Sequence, residues 1–138
     1  MFEYTRPVYY YETDQMGIVH HSNYVRWLEE ARTEFFKKAN LAYVETERLG
    51  LFSPILEISL KYKFPARYGE DFKVRMEMVK YTGVRFKIAY TVVNEEGVIL
   101  LEGESAHCFT DKNHRPASLA RVIPERHEAM RALIRERE

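Results

Sequence analysis

The sequence is nearly devoid of cysteine. Cys108 is its only one in 138 residues, so no internal disulfide can form, and a reducing, cytoplasmic setting is expected. Net charge is missing as well. Lys plus Arg and Asp plus Glu number 21 each, which removes the bulk signature of a nucleic-acid binder. No apolar run exceeds four residues, far short of a membrane span. The opening MFEYTRPVYYYET carries no apolar core of signal-peptide length and has a Glu in third place. No repeat, low-complexity tract or Pro/Gly/Ser linker divides the chain, so one domain over residues 1–138 is expected. Neither a P-loop nor a G-x-G-x-x-G turn is present.

What the chain does have is apolar patterning, with a hydrophobic fraction of 46% that includes ten Tyr and eight Phe. Residues 2–10 read as extended, with Pro7 marking an edge or irregularity. Tyr24, Trp27/Leu28, Ala31, Phe35 and Ala39 recur at helical spacing, with Arg26, Glu29, Glu30, Glu34, Lys37 and Lys38 opposite. Ser22 or Asn23 is the expected N-cap of this long amphipathic helix. A shorter helix is expected from Leu41 to Leu49, stopped by Gly50.

Period-two alternation follows. It places Ile58, Leu60, Tyr62 and Phe64 on one apolar strand face, then Phe72, Val74, Met76 and Met78, then Val84, Phe86, Ile88, Tyr90 and Val92. Tyr81-Thr82-Gly83 and Asn94-Glu95-Glu96-Gly97 read as turns, the second leading into a strand from Val98 to about Thr110. Pro124-Glu125 starts a terminal helix. One apolar helix face and one apolar sheet face bury each other in an α+β two-layer domain. The sheet edges and outer face left over favour a dimer.

The segment that carries chemistry joins the first strand to the long helix, from Tyr10-Tyr11-Glu12-Thr13-Asp14 through Gly17 to His20-His21-Ser22-Asn23-Tyr24. A helix amino end presents free N–H groups and partial positive charge, which polarise a carbonyl and stabilise a tetrahedral oxyanion. Asp14 lies just upstream, and Gly17 lets the backbone turn tightly between the two. A carboxylate opposite an oxyanion site suits hydrolysis of an activated ester, by direct attack or by activating a water. The bland reading of Asp14 is a cap or turn residue. Glu12 invites the same reading, with less reason to point inward.

Asp14-Gln15-Met16-Gly17-Ile18-Val19, then Asn23-Tyr24 and the helix Val25-Arg26-Trp27-Leu28-Glu29-Glu30-Ala31-Arg32, resembles the active-site signature of the 4-hydroxybenzoyl-CoA thioesterase family. The likeness is nearest to the bacterial acyl-CoA thioesterases grouped with the Tol-Pal cell-envelope genes. Phe64-Pro65-Ala66-Arg67-Tyr68-Gly69-Glu70-Asp71, the stretch from Leu101 to Asp111 and the Arg115-Pro116 turn extend it over nearly the whole chain.

This resemblance implies a hot-dog fold: a five-stranded antiparallel sheet wrapped around one long helix, with a C-terminal helix added. It also implies a homodimer or homotetramer with active sites between subunits, an acyl-CoA substrate and no cofactor. Asp14 falls on the family's catalytic aspartate. His21 falls where a backbone N–H faces the thioester carbonyl, and Tyr10 where a tyrosine lies near the carboxylate. The Tyr10 hydroxyl would orient Asp14 or a water, unless the ring only packs. Gly17 and Arg67 are the candidate substrate-binding residues. Lys61, Lys63, Lys80, Arg85 and Lys87 join Arg67 as cations for the coenzyme A phosphates, though strand faces turned to solvent explain them equally well.

Other chemistries fit poorly. His20 and His21 point different ways as neighbours, and no H-E-x-x-H or second ligand pair is present, so no metal is expected. His107, His114 and His127 read as structural or solvent-facing. Gly103-Glu104-Ser105-Ala106-His107 is one residue short of G-x-S-x-G and lies in a strand. A dehydratase on the same fold would need a His with an acidic partner on the helix. A thioesterase using a helix Glu would need Glu29 or Glu30, which read as solvent-facing. The alternative to an enzyme is an acyl-CoA-binding or partner-recruiting hot-dog module without catalysis.

Overall fold

The computed structural model describes residues 2–137. Strand β1 (Phe2–Pro7) leads through a 3-10 turn (Tyr10–Glu12) to helix α1 (Ser22–Lys38) and the short helix α2 (Tyr43–Arg48). Strands β2 (Ile55–Tyr62), β3 (Asp71–Tyr81), β4 (Arg85–Asn94) and β5 (Ile99–Cys108) follow, then helices α3 (Leu119–Val122) and α4 (Pro124–Arg137). All strand pairs are antiparallel, in the order β1-β3-β4-β5-β2. This is the α+β arrangement expected of a hot-dog fold, one sheet packed on one long helix.

The core lies where the two periodicities meet. Tyr24, Trp27, Leu28, Ala31 and Phe35 of α1 are buried, as are Phe72, Val74, Met76 and Met78 of β3 and Phe86, Ile88, Tyr90 and Val92 of β4. Burying each Leu- or Phe-sized side chain contributes roughly 1.5–3 kcal/mol. Trp27 stacks on Phe72 with centroids 3.9 Å apart, fixing the start of α1 against the sheet. Helix α4 closes the opposite end, with Met130 fully buried and the Tyr81 hydroxyl 2.6 Å from His127 Nδ1. Pro7 sits on β1, which among the described residues pairs only with β3, so its missing N–H costs no ladder bond.

The expectation of a strongly apolar face on β2 needs correction. Ile58 and Leu60 are half-buried, but Tyr62 and Phe64 are about half exposed, as is Leu56. The reason is topological. β2 is the strand beyond β5, hydrogen-bonded on one side only among the described residues, so little of its own chain covers it. Gly103 lies opposite Leu60 in this pair. A Cβ there would collide with the Ser59 carbonyl oxygen and sit 2.6 Å from the Leu60 side chain, so this glycine permits the close approach of β2. Among the described residues, no helix is long and apolar enough to cross a membrane.

Candidate active site

The connection between β1 and α1 is built as a small hairpin. The His20 N–H donates to the Glu12 carbonyl (2.9 Å), Thr13 bridges Val19, and the Asp14 N–H donates to the Ile18 carbonyl (2.9 Å). Its tip is a turn in which the Gly17 N–H donates to the Asp14 carbonyl (3.0 Å), with Gly17 at φ +76, a left-handed conformation that side chains disfavour. The hairpin is stitched to the loop before β3. The Val19 N–H donates to the Ala66 carbonyl (2.9 Å), and Ile18 bridges Arg67. Asp14 and Gly17 thus occupy the tip, Arg67 runs alongside, and His21 lies one residue past the base.

Asp14 is half-buried, and its Oδ1 accepts the Met16 N–H at 2.8 Å, an Asx turn. The turn reading of this residue is therefore correct as far as one oxygen goes. Oδ2 has no partner among the described residues.

At the other end His21, not Ser22 or Asn23, occupies the N-cap. Both expected caps are committed elsewhere. The Ser22 hydroxyl bonds His20 Nδ1 (2.8 Å), and Asn23 Nδ2 donates to the Glu12 carbonyl (2.9 Å). The capping is instead supplied by His20, whose Nδ1 accepts the Ser22 N–H (3.2 Å). The His21 N–H has no acceptor among the described residues, and the His21 carbonyl accepts the Tyr62 hydroxyl at 3.4 Å. The first turn of α1 thus keeps one backbone donor open at the surface, beside an exposed imidazole.

Tyr10 is 76% exposed. Its ring packs edge-on against Tyr68, with centroids 5.5 Å apart, and its carbonyl accepts both the N–H and the hydroxyl of Thr13. The backbone of Tyr10, not its phenol, is what joins the Asp14 arm of the hairpin. Arg67 is exposed, and so are Met16, Tyr62, Phe64 and Tyr68, which makes the surface around the hairpin strongly aromatic.

Glu12 overturns its expectation. It is buried (4% exposed) and takes four donors: Arg6 Nη1 (2.9 Å) and Nη2 (3.1 Å), the Tyr9 N–H (2.8 Å) and Trp27 Nε1 (2.8 Å). Arg6 is buried too, lies over the Tyr9 ring at 4.6 Å, and reaches Glu30 at 3.5 Å. Burial opposes its charge, but Glu12 and Glu30 outweigh this and hold its pKa above the usual value. Glu30 is accordingly not a free solvent-face residue, since it also accepts the Tyr4 hydroxyl at 2.8 Å. Burial, reinforced by Glu30, pushes the Tyr4 phenol up to about 12. A signal for this cluster exists in the sequence. The only Trp lies on the apolar helix face, and a buried indole N–H needs an acceptor.

A second buried polar chain has no such signal. Arg32, on the apolar side of α1, donates to the Tyr90 hydroxyl (3.0 Å). Tyr90 bonds Ser105, and Ser105 lies 2.7 Å from His107 Nε2. All four residues are buried. His107 is thus a structural core histidine, stacked on Phe86 at 4.8 Å. Burial, with the Arg32 charge added, lowers its pKa to about 4, against an opposing pull from the Ser53 backbone. Among the described residues, no group of three His, Cys, Asp or Glu side chains could hold a metal ion.

Comparison with known proteins agrees with this architecture. The protein named Putative acyl-CoA thioesterase YneP, from Bacillus subtilis (strain 168), is 36% identical over 123 residues, covering 88% of this chain and 89% of that protein. Among solved structures, the DHNA-CoA thioesterase from Staphylococcus aureus superposes with a TM-score of 0.90 at 31% identity, over 99% of this chain and 94% of that one. The hypothetical protein TT1821 from Thermus thermophilus superposes with a TM-score of 0.86 at 36% identity, over 95% and 98%. The sequence model of the thioesterase-like superfamily matches residues 8–132, from the end of β1 into α4 and across the whole hairpin: the chain belongs to that superfamily.

Proposed function

We propose that this chain is an acyl-CoA thioesterase, hydrolysing the thioester to a carboxylic acid and free coenzyme A. The observation that carries the reading lies along one connection, between β1 and α1. A carboxylate oxygen at the hairpin tip (Asp14 Oδ2) and a backbone donor past the hairpin base (the His21 N–H) both lack a partner among the described residues, in a chain of the thioesterase-like superfamily. Asp14 acts as nucleophile, breaking the C–S bond and expelling the coenzyme A thiolate to form an anhydride that water then cleaves to the acid and free Asp14, or as general base on the attacking water. The developing oxyanion is held by the amino end of α1. Gly17 and Arg67 contact the substrate, and Tyr10 lies at the margin of the site. The motif from Asp14 to Val19 supports a nearer kinship with 4-hydroxybenzoyl-CoA thioesterases and their Tol-Pal-associated branch.

The test is a hydrolysis panel of aliphatic and aromatic acyl-CoAs followed by thiol release. Turnover of at least one member is expected, and it should survive exhaustive chelation, because Asp14 and not a metal-bound water does the chemistry. No turnover of any member, or loss on chelation with recovery on adding a divalent ion, overturns the reading.

The same reading includes a homodimer or homotetramer. Among the described residues the outer edge of β2 is unpaired and flanked by exposed Ile55, Leu56, Tyr62 and Phe64, an apolar edge that a second copy would cover by strand addition. Analytical ultracentrifugation should show a dimer or larger at assay concentration. An active monomer there contradicts it.

A further inference from the structure

We propose that Glu12 is the positioning residue of the site. It sets Asp14 relative to the start of α1 through a buried ion pair with Arg6. The inference rests on the reading of Asp14 as the reactive carboxylate and adds a second acidic residue with a different task.

Two observations and one general rule converge on it. First, Glu12 joins β1, the 3-10 turn, the returning arm of the hairpin and the first turns of α1. Its carboxylate binds β1 through Arg6, the 3-10 turn through the Tyr9 N–H and the buried face of α1 through Trp27. Its carbonyl accepts the His20 N–H from the returning arm of the hairpin and Asn23 Nδ2 from the first turn of α1. Residue 12 is therefore the base of the hairpin whose tip is Asp14, and it is bonded to His20 and Asn23, which bracket His21. A shift of Glu12 displaces Asp14 relative to the start of α1.

Second, the geometry is directional. The Arg6 fork donates from Nη1 to Oε2 and from Nη2 to Oε1, so the carboxylate plane is fixed, and the Tyr9 N–H and Trp27 Nε1 add one donor to each oxygen. Third, a buried ion pair is a poor route to stability, because apolar residues of similar volume often replace one without loss. What it supplies better than an apolar pair is a single orientation. A carboxylate whose hydrogen bonds are fully spent, two residues from one with an oxygen to spare, is suited to aim its neighbour and not to react.

Kinetics separate aiming from simple support of the fold. Glu12→Gln keeps the shape and the acceptor for Tyr9 or Trp27 but removes the charge that the Arg6 fork needs. Turnover should fall on the order of 10- to 100-fold, as for a misplacement of about 1 Å. KM should change by less than about threefold, since the loss belongs to the transition state. The deciding measurement is a double-mutant cycle. If Glu12 acts through Asp14, then Glu12→Gln in an Asp14→Asn background should cost less than about twofold further. A merely structural contribution costs the same factor in both backgrounds, and that result overturns the proposal. So does a Glu12→Gln enzyme with wild-type turnover. Arg6→Lys, which keeps the charge and loses the fork, carries the same cycle should Glu12→Gln fail to fold by near-UV circular dichroism. Asp14→Asn with wild-type turnover would instead overturn the underlying reading of Asp14, an outcome that Glu12→Gln alone cannot produce.

Discussion

Asp14→Asn is expected to lower turnover by a factor on the order of 10²–10⁴, the range for a positioned base, while leaving the fold intact. The substitution keeps the shape and the oxygen that accepts the Met16 N–H, so the Asx turn survives. It removes the charged oxygen that has no other partner among the described residues. His21→Ala keeps the backbone N–H at the start of α1 and removes only an exposed imidazole. It should cost about tenfold or less, below the loss from deleting an oxyanion donor. The competing assignment makes the His21 imidazole the base, with Asp14 orienting it as in a triad. Under that scheme His21→Ala is at least as damaging as Asp14→Asn, and the pH–rate profile follows an imidazole ionisation. Both variants, assayed on one good substrate with circular dichroism as a folding control, decide between the two. An Asp14→Asn enzyme more active than His21→Ala reverses the roles of the two residues.

The second large effect concerns stability. His107 titrates near 6.5 in the unfolded chain and at about 4 in the folded one. Between those values the unfolded state binds a proton that the folded state refuses, so stability falls as pH drops from 6.5 to 4 and levels off below. At about 1.36 kcal/mol per pH unit, the full window is worth roughly 3 kcal/mol.

The buried chain explains why protonation is resisted. Arg32 can only donate, so Tyr90 accepts from it and donates to Ser105, which donates to His107 Nε2. A proton on Nε2 turns that acceptor into a donor and leaves one hydroxyl hydrogen of the chain without an acceptor. Urea unfolding of wild type and His107→Gln at several pH values between 7 and 4 tests this. Wild type should lose roughly 3 kcal/mol more than the variant across the window. Parallel losses in the two proteins rule out His107 as the source.

Element types, the turns and the two-layer plan are legible in the chain because they follow from local periodicity. Trp27, Leu28, Ala31 and Phe35 mark a helix face whatever lies opposite, and Phe72, Val74, Met76 and Met78 mark a strand face. Gly17 and Gly83 mark turns because their positive φ suits glycine. The segment from Asp14 to Val19 identifies where to look, because a carboxylate before a helix amino end is a local arrangement.

What the sequence cannot decide is which polar groups go inside, since that depends on partners distant in the chain. Glu12 is buried because Arg6 and Trp27 meet it there, from a strand and a helix on either side. Arg32 is buried because Tyr90, 58 residues away, supplies its acceptor. The first leaves one trace, a lone Trp on an apolar helix face whose N–H needs an acceptor, the second leaves none, and a charged residue read alone defaults to solvent. The N-cap of α1 escapes a local reading for the same reason. Ser22 and Asn23 have the right chemistry for a cap, but Asn23 is drawn off by the Glu12 carbonyl and Ser22 by the His20 ring, which does the capping instead. Strand order decided the exposure of β2. The alternation of Ile58, Leu60 and Tyr62 is that of a covered strand, and only its place at the edge of the sheet leaves Tyr62 open beside the site. Local sequence determined the elements and the position of the candidate carboxylate, because short-range sterics and side-chain period act within a few residues. Tertiary structure alone decided how that carboxylate is held, because hydrogen bonds and ion pairs form between whatever groups the fold brings together.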